Sequence, residues 1–303
     1  MTSSIDVAPP RYSWGGDEFL FVEMDEAMSL EAFLRAGHLA DAIASDGIVG
    51  VTDICPTNTS LLLRYDPDVI APDALRSRVR HLEERSRDGG PQGGPAPTRV
   101  FEVPVWYADP YTSEVAQRFR THHQTPEKTD LEFAADLNGI ADADTLIERH
   151  HAAPWMVTAV GFVAGLPFMY QMVPRDEQIE VPKYLSPRTD TPALTVGHGG
   201  CFSVIYSVRG AGGYQMFGIA AAPIFAPDSS LHDFQDSMVL FRSGDIVKFK
   251  PIDADEYHDI QKRCEEGTFR YRTAAVPFDV DLWRRDPASY NASVMEALDG
   301  TAG

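Results

Sequence analysis

The spacing of apolar residues changes period several times along the first third of the chain. Phe19 to Met24 is a short run of β-formers. Leu30, Phe33, Leu34, Leu39, Ala40 and Ile43 then recur at helical spacing, with Ser29 placed to cap the helix and Asp46-Gly47 to end it. Ile48–Ile54 and Ser60–Tyr65 read as two strands around the turn Cys55-Pro56-Thr57-Asn58. Pro72-Asp73 opens a second helix with Leu75, Val79 and Leu82 inward and Arg and Glu outward. The order strand, helix, strand, strand, helix predicts most of a split βαβ, ferredoxin-like unit over residues 17–88, preceded by a flexible segment 1–16.

Residues 86–98 hold four glycines and three prolines and nothing apolar larger than Ala, so 89–98 is expected to be a linker. Val100–Tyr107 alternates as a strand. Asp109–His151 reads as three helices: Val115 and Phe119 share a face of the first, Leu131, Ala134 and Ala135 share one of the second, and Asp142–His151 forms the third. From Trp155 the chain is β-rich and broken by Gly and Pro. Ala221–Phe225 reads as a strand, Ser237–Pro251 as two strands around Ser243-Gly244-Asp245, Asp255–Glu266 as a helix, and Thr268–Val276 as a last strand before a polar tail, 281–303. Pro182–Gly218 carries prolines at 182, 187 and 192 and glycines at 197, 199, 200, 210, 212, 213 and 218 around Val204, Ile205, Tyr206 and Val208. Glycine at this density serves turns and close backbone approach, so the stretch is expected to be a wall of a small barrel with glycine corners. Together these give an α+β chain, with a β-barrel domain over 99–280 and a helical insertion at 109–151.

Composition narrows the function. The 303 residues are 44% hydrophobic and 23% charged, the balance of a globular protein. A net charge of −19 argues against nucleic-acid and anionic-membrane partners, which need a basic face. No apolar run reaches the ~18 residues of a membrane span, and residues 1–11 lack a signal-peptide pattern. Cys55, Cys201 and Cys264 are odd in number and far apart, which points to a reducing compartment and a cytoplasmic location.

Nucleotide-binding, nucleophile-elbow and zinc-protease motifs are missing. The pairs His122-His123 and His150-His151 would point about 100° apart on a helix and chelate one ion poorly, so no metal is expected. Cys201 reads as a structural cysteine, because nothing nearby in sequence lowers its pKa. Asp17, Asp53 and Asp190 read as turn or cap residues. What remains is a group of cations, Lys183, Arg188 and His198, beside glycines whose N–H groups could form an anion-binding nest. Arg188 could grip a carboxylate with two parallel hydrogen bonds, and donors held dry could stabilise an oxyanion.

These residues, taken in order, resemble a family. The pieces are D-G-I-V-G-V-T-D-I-C-P-T-N-T-S-L-L-L-R-Y-D-P (46–67), V-P-V-W-Y (103–107), His150, Gly161-Phe162 with Pro167, V-P-K-Y-L-S-P-R (181–188), T-P-A-L-T-V-G-H-G-G (191–200), G-G-Y-Q-M-F-G (212–218) and L-F-R-S-G-D-I-V-K-F-K-P (240–251). They resemble the family that unites allophanate hydrolase subunit 1, the B-subunit of 5-oxoprolinase and the urea carboxylase carboxyltransferase domain, over about residues 17–280. The insertion at 126–140 and the pieces E-Y-H-D-I and G-T-F-R-Y are more similar to the urea-carboxylase branch.

The resemblance implies a ferredoxin-like domain followed by a cyclophilin-like β-barrel. It implies a second subunit that completes the active site and a small urea-, amide- or lactam-like substrate. It also implies biotin presented by a partner protein rather than bound covalently to this chain, with a biotin carboxylase or carrier as a further partner. By that reading Arg188 and His198 are catalytic, and Lys183, Gly197, Gly199, Gly200, Tyr206 and Tyr214 bind substrate. The chain departs from the family at V-A-G-L-P (163–167), at Phe202-Ser203, and at Ile219-Ala220, where a cation is common. The loss of that cation keeps open an alternative, a non-catalytic regulatory protein of the kinase-inhibitor type.

Overall fold

A computed structural model of the chain describes residues 8–88, 96–228 and 230–300. The chain divides into two compact units, Met1–Ala96 and Pro97–Gly303.

The first unit is a four-stranded antiparallel sheet covered by two helices. Its strands are β1 (Arg11–Gly15), β2 (Phe19–Glu23), β3 (Val51–Thr57) and β4 (Ser60–Tyr65), in the order β1-β2-β4-β3. The helices are α1 (Leu30–Asp46) and α2 (Pro72–Asp88). Because β4 lies between β2 and β3, and α1 joins those two, the unit is the expected split βαβ. Leu61, Leu63 and Tyr65 of β4 and Leu20 and Val22 of β2 alternate inward onto Leu39, Ile43, Leu75 and Val79. Ser29 accepts the Ala32 N–H at 3.1 Å, and Gly47 closes α1 in the left-handed region at φ 63°. Two expectations shift. Residues 11–15, within the segment read as flexible, form an edge strand. The turn after β3 moves to Asn58, which takes φ 52°, so Cys55-Pro56-Thr57 belong to the strand. Of the glycine-rich linker, 89–95 lies outside the described residues, and Ala96 onward is already strand.

The second unit is a closed barrel. Its strands are β5 (Ala96–Tyr107), β6 (Trp155–Val160), β7 (Pro167–Gln171), β9 (Thr195–Gly199), β10 (Phe202–Ile205), β12 (Gln215–Ala220) and β13 (Ile246–Pro251). The order β12-β9-β10-β7-β6-β13-β5 is closed by β5 pairing back to β12, and β14 (Arg272–Phe278) adds to β5. Neighbours within the closed ring run antiparallel except β5 with β13, which run parallel. The short strands β8 (Arg188–Thr191) and β11 (Gly210–Gly212) form a separate ribbon. Phe101, Val103, Val105 and Tyr107 of β5 point into the core, while Glu102 and Trp106 do not. This is the α+β architecture and closed barrel expected above.

The helical insertion is α3 (Pro110–Arg118), α4 (Asp130–Leu137) and α5 (Ala143–Ala152), followed further on by α6 (Ala254–Glu265). Thr129 and Glu132 form a reciprocal capping box on α4. The stretch read as a polar tail contains α7 (Val280–Arg285) and α8 (Pro287–Asp299), which bury Trp283, Val294 and Leu298. Ser237–Ser243, a strand by its sequence pattern, makes an isolated bridge, Phe225 to Val239, in which Ala226 N donates to Met238 O at 2.9 Å and Leu240 N to Ile224 O at 3.0 Å, and beyond it Arg242 enters a turn with Asp245. Residues 221–225 likewise fall outside the named strands. Among the described residues no helix is long and apolar enough to cross a membrane.

Candidate anion-binding site

Arg188 opens β8, between the exposed residues Pro187 and Thr189, and its own side chain is fully buried. Its Nε donates to Thr191 Oγ1 at 3.3 Å. Its two terminal nitrogens are enclosed and have no hydrogen-bond partner. The guanidinium lies 4.5 Å over the Tyr184 ring. Burial raises the Tyr206 pKa, and the adjacent Arg188 guanidinium opposes that rise through its charge and its contact with the Tyr206 side chain. An ionised group held from water without a counter-charge costs several kcal/mol, and a bound anion removes that cost.

Glycines let two aromatic rings lie flat against the barrel wall. A Cβ on Gly199 would stand 2.5 Å from the Tyr214 ring, and one on Gly212 would stand 2.5 Å from the Tyr206 hydroxyl. Gly197 meets both tyrosines at 3.2 Å. Lys183 is exposed and holds its ammonium 5.1 Å over Tyr214, whose hydroxyl burial pushes up to about 12. The fold therefore gathers Lys183, Arg188, Tyr206 and Tyr214 over Gly197 and Gly199.

His198 is not part of this group. Successive side chains of a strand point to opposite faces, so His198 enters the barrel core while its glycine neighbours face the tyrosines. It stacks on Phe217 at 5.5 Å, donates from Nε2 to Ile179 O at 2.9 Å, and burial takes its pKa down to about 4. This placement supports packing rather than proton transfer with substrate. The glycine backbone is also engaged in the sheet. The Gly200 N–H donates to Val181 O at 2.7 Å, and Gly197 is paired on both sides, to Val204 and Met216. Gly200 serves instead as the tight turn between β9 and β10, at φ 61°. Ile219 is buried, packs in the core and pairs with Trp106 and Thr195. Cys201 is half-buried, and burial raises its thiol to about 11, which leaves it a poor nucleophile.

Other residues of the neighbourhood were not legible in the sequence. Asp130, at the start of α4, is buried and accepts from Tyr184 Oη at 2.7 Å, Met216 N at 2.7 Å and Arg120 Nη1 at 3.2 Å. His123 accepts at Nδ1 from Thr125 N (2.9 Å), so its Nε2 carries the proton and donates to Gln215 Oε1 at 3.0 Å. Gln215 Nε2 in turn donates to Pro182 O at 2.9 Å. The T-D-L-E of a capping box was the one local signal available for Asp130. Deeper in the barrel a second chain runs from Tyr107 Oη to His150 Nδ1 (2.8 Å) and from His150 Nε2 to Ser203 Oγ (3.2 Å). It ends with Ser203 Oγ donating to Gly197 O (3.3 Å). Every member has its partner, so the chain holds α5 against β5, β9 and β10. Among the described residues no group of three or more His, Cys, Asp or Glu could hold a metal ion.

The sequence pattern of the family described as carboxyltransferase domain, subdomain C and D, matches residues 10–233. The chain is 26% identical over 273 residues to the urea amidolyase of Lachancea kluyveri, covering 88% of this chain and 15% of that protein. It is 27% identical over 251 residues to the 5-oxoprolinase B-subunit of Bacillus subtilis (strain 168), covering 80% of this chain and 93% of that one. Its fold matches the crystal structure of the Kluyveromyces lactis urea carboxylase with a TM-score of 0.82 and 23% identity, over 98% of this chain and 27% of that one. The chain thus spans a small part of the urea amidolyase and nearly all of the oxoprolinase B-subunit. With a match over well more than half its length, the chain belongs to the carboxyltransferase domain, subdomain C and D, family.

Proposed function

We propose that the chain is one half of a carboxyltransferase or amide-cleaving enzyme for a small urea-, amide- or lactam-like substrate. The observation that carries this reading is Arg188, a fully buried guanidinium whose terminal nitrogens have no partner. In this reading Arg188 holds the carboxyl group being transferred or released, Lys183 adds charge at the mouth, and Tyr206 and Tyr214 line the site. A second subunit completes it, as its oxoprolinase and urea-carboxylase relatives suggest, and any biotin arrives on another protein. The three cysteines, none in a disulfide, are consistent with work in the cytoplasm. The kinase-inhibitor-type alternative rests on the missing cation at 219, where a buried Ile219 stands.

The test is co-expression with a homologue of the second subunit, followed by assays for ATP-dependent turnover of urea and of 5-oxoproline, with and without a biotin carboxylase and carrier. A stable complex with turnover is expected. Arg188→Gln should lower kcat/KM by about 100-fold, the loss of a charge-assisted contact of roughly 3 kcal/mol. Failure to form a complex or to turn over either substrate, across several second-subunit homologues, would sink the proposal.

A further inference from the structure

The structure assigns Tyr184, anchored by Asp130, as the positioning residue that turns Arg188 into a site for a planar monoanion. This rests on the reading of Arg188 as an anion site and adds what fixes its orientation and selectivity.

Tyr184 is held at both ends. Its backbone N–H donates to Gly213 O at 2.7 Å, and its hydroxyl donates to both oxygens of Asp130 at 2.7 Å. Burial and the adjacent Asp130 carboxylate push its pKa up, so the hydroxyl remains a donor at any working pH. The edge of the His123 ring packs against it at 4.9 Å and 89°, and His123 is itself fixed by Thr125 and Gln215. Asp130 is no freer, since Met216 N and Arg120 hold it from β12 and from the turn after α3. The ring under Arg188 is therefore immobile.

A guanidinium lying on an immobile ring can offer only its edge. With Nε already given to Thr191, that edge presents the two terminal nitrogens, the fork that matches a carboxylate. The charge balance selects further. Asp130 is paired with Arg120, which leaves the charge on the buried Arg188 as the uncompensated one among these three groups. One negative charge neutralises it, whereas a tetrahedral dianion brings a second charge and the wrong shape. Sequence offers little trace of this, because Asp130 lies 54 residues from Tyr184.

The test uses the full chain, with formate as the planar monoanion and sulfate as the tetrahedral dianion, titrated at constant ionic strength and followed by calorimetry. The wild-type chain should bind formate at least about tenfold more tightly than sulfate, a difference of ~1.4 kcal/mol. Arg188→Gln should abolish saturable binding of both. Tyr184→Leu removes the ring, and the formate-to-sulfate ratio should fall toward unity. Tyr184→Phe keeps the ring and loses the anchor, and should weaken formate binding by about three- to tenfold. A purely structural role would lower the melting temperature of the Tyr184 variants and leave the ratio untouched. That outcome, with Arg188→Gln still abolishing binding, overturns the positioning role and leaves the anion site standing. No formate binding by the wild-type chain overturns both. Turnover of the two-subunit complex is measured separately, so a failure of the enzymatic reading is told apart from either.

Discussion

Gly199 and Gly210 sit eleven residues apart in the same glycine-rich stretch and differ in what a methyl group would meet. At Gly210 there is nothing within 4 Å, while at Gly199 the new Cβ would be 2.5 Å from the Tyr214 ring. Gly199→Ala should therefore cost about 1–3 kcal/mol as an overpacking change, and Gly210→Ala close to nothing. Urea unfolding of the two variants checks this, and equal stabilities would show that the Tyr214 ring is free to move. The buried histidines make a second prediction. Burial holds His150 and His198 below the ordinary imidazole value, His198 down to about 4. Above pH ~6.5 neither the folded nor the unfolded chain binds these protons, and stability does not depend on them. Below it the unfolded chain takes up protons that the folded chain refuses, so stability falls as pH falls. For His198 the loss runs from about 6.5 down to about 4 and reaches ~2 kcal/mol by pH 5. Unfolding curves at pH 7.5 and 5 should differ by at least this much, and His198→Asn should flatten the dependence. An unchanged slope in that variant would exclude His198 as a titrating group.

At the scale of elements, Ser237–Ser243 pairs with residues 224–226 at a single bridge and then enters the turn before β13. Asp245 accepts from Arg99 Nε at 2.9 Å and from Arg242 N at 2.7 Å, while Arg99 also reaches Leu240 O at 3.0 Å. The backbone of Asp245 accepts from Val157 N at 2.8 Å. The carboxylate thus ties β5 to the entry of β13, and the carbonyl of the same residue ties in β6. Asp245→Ala takes the counter-charge from Arg99, which keeps only Leu240 O, and leaves the Arg242 N–H without its acceptor, and should cost roughly 2–4 kcal/mol by urea unfolding. Arg99→Ala combined with it should cost much less than the sum, because the two share one interaction. Additive losses would show that the pair does not act as a unit. The helices were easier to read. α1 and α6 carry an N-cap, α2 opens on Pro72, and each has an inward stripe, so their signals are local. The tail helices α7 and α8 lacked a strong stripe and are seen only with the residues they bury against.

For the whole molecule, the chain's acidity, −19 overall, opposes the approach of an anion, so the local balance of Arg188, Arg120, Asp130 and Lys183 decides what can bind. Sequence alone determined the fold class, the type of most elements between residues 19 and 220, the order of family motifs and Arg188 as a candidate, because these depend on period, caps and residue type along a short window. The tertiary structure decided which candidates meet. Strand alternation sent His198 to the core and Gly197 and Gly199 to the tyrosines, Val181 took the Gly200 N–H, and ring closure buried Ile219. It also brought Asp130 under Tyr184 and Tyr184 under Arg188. Those contacts join residues far apart in the chain, and the geometry of a closed barrel, with each strand's two faces fixed by its neighbours, is what sets them.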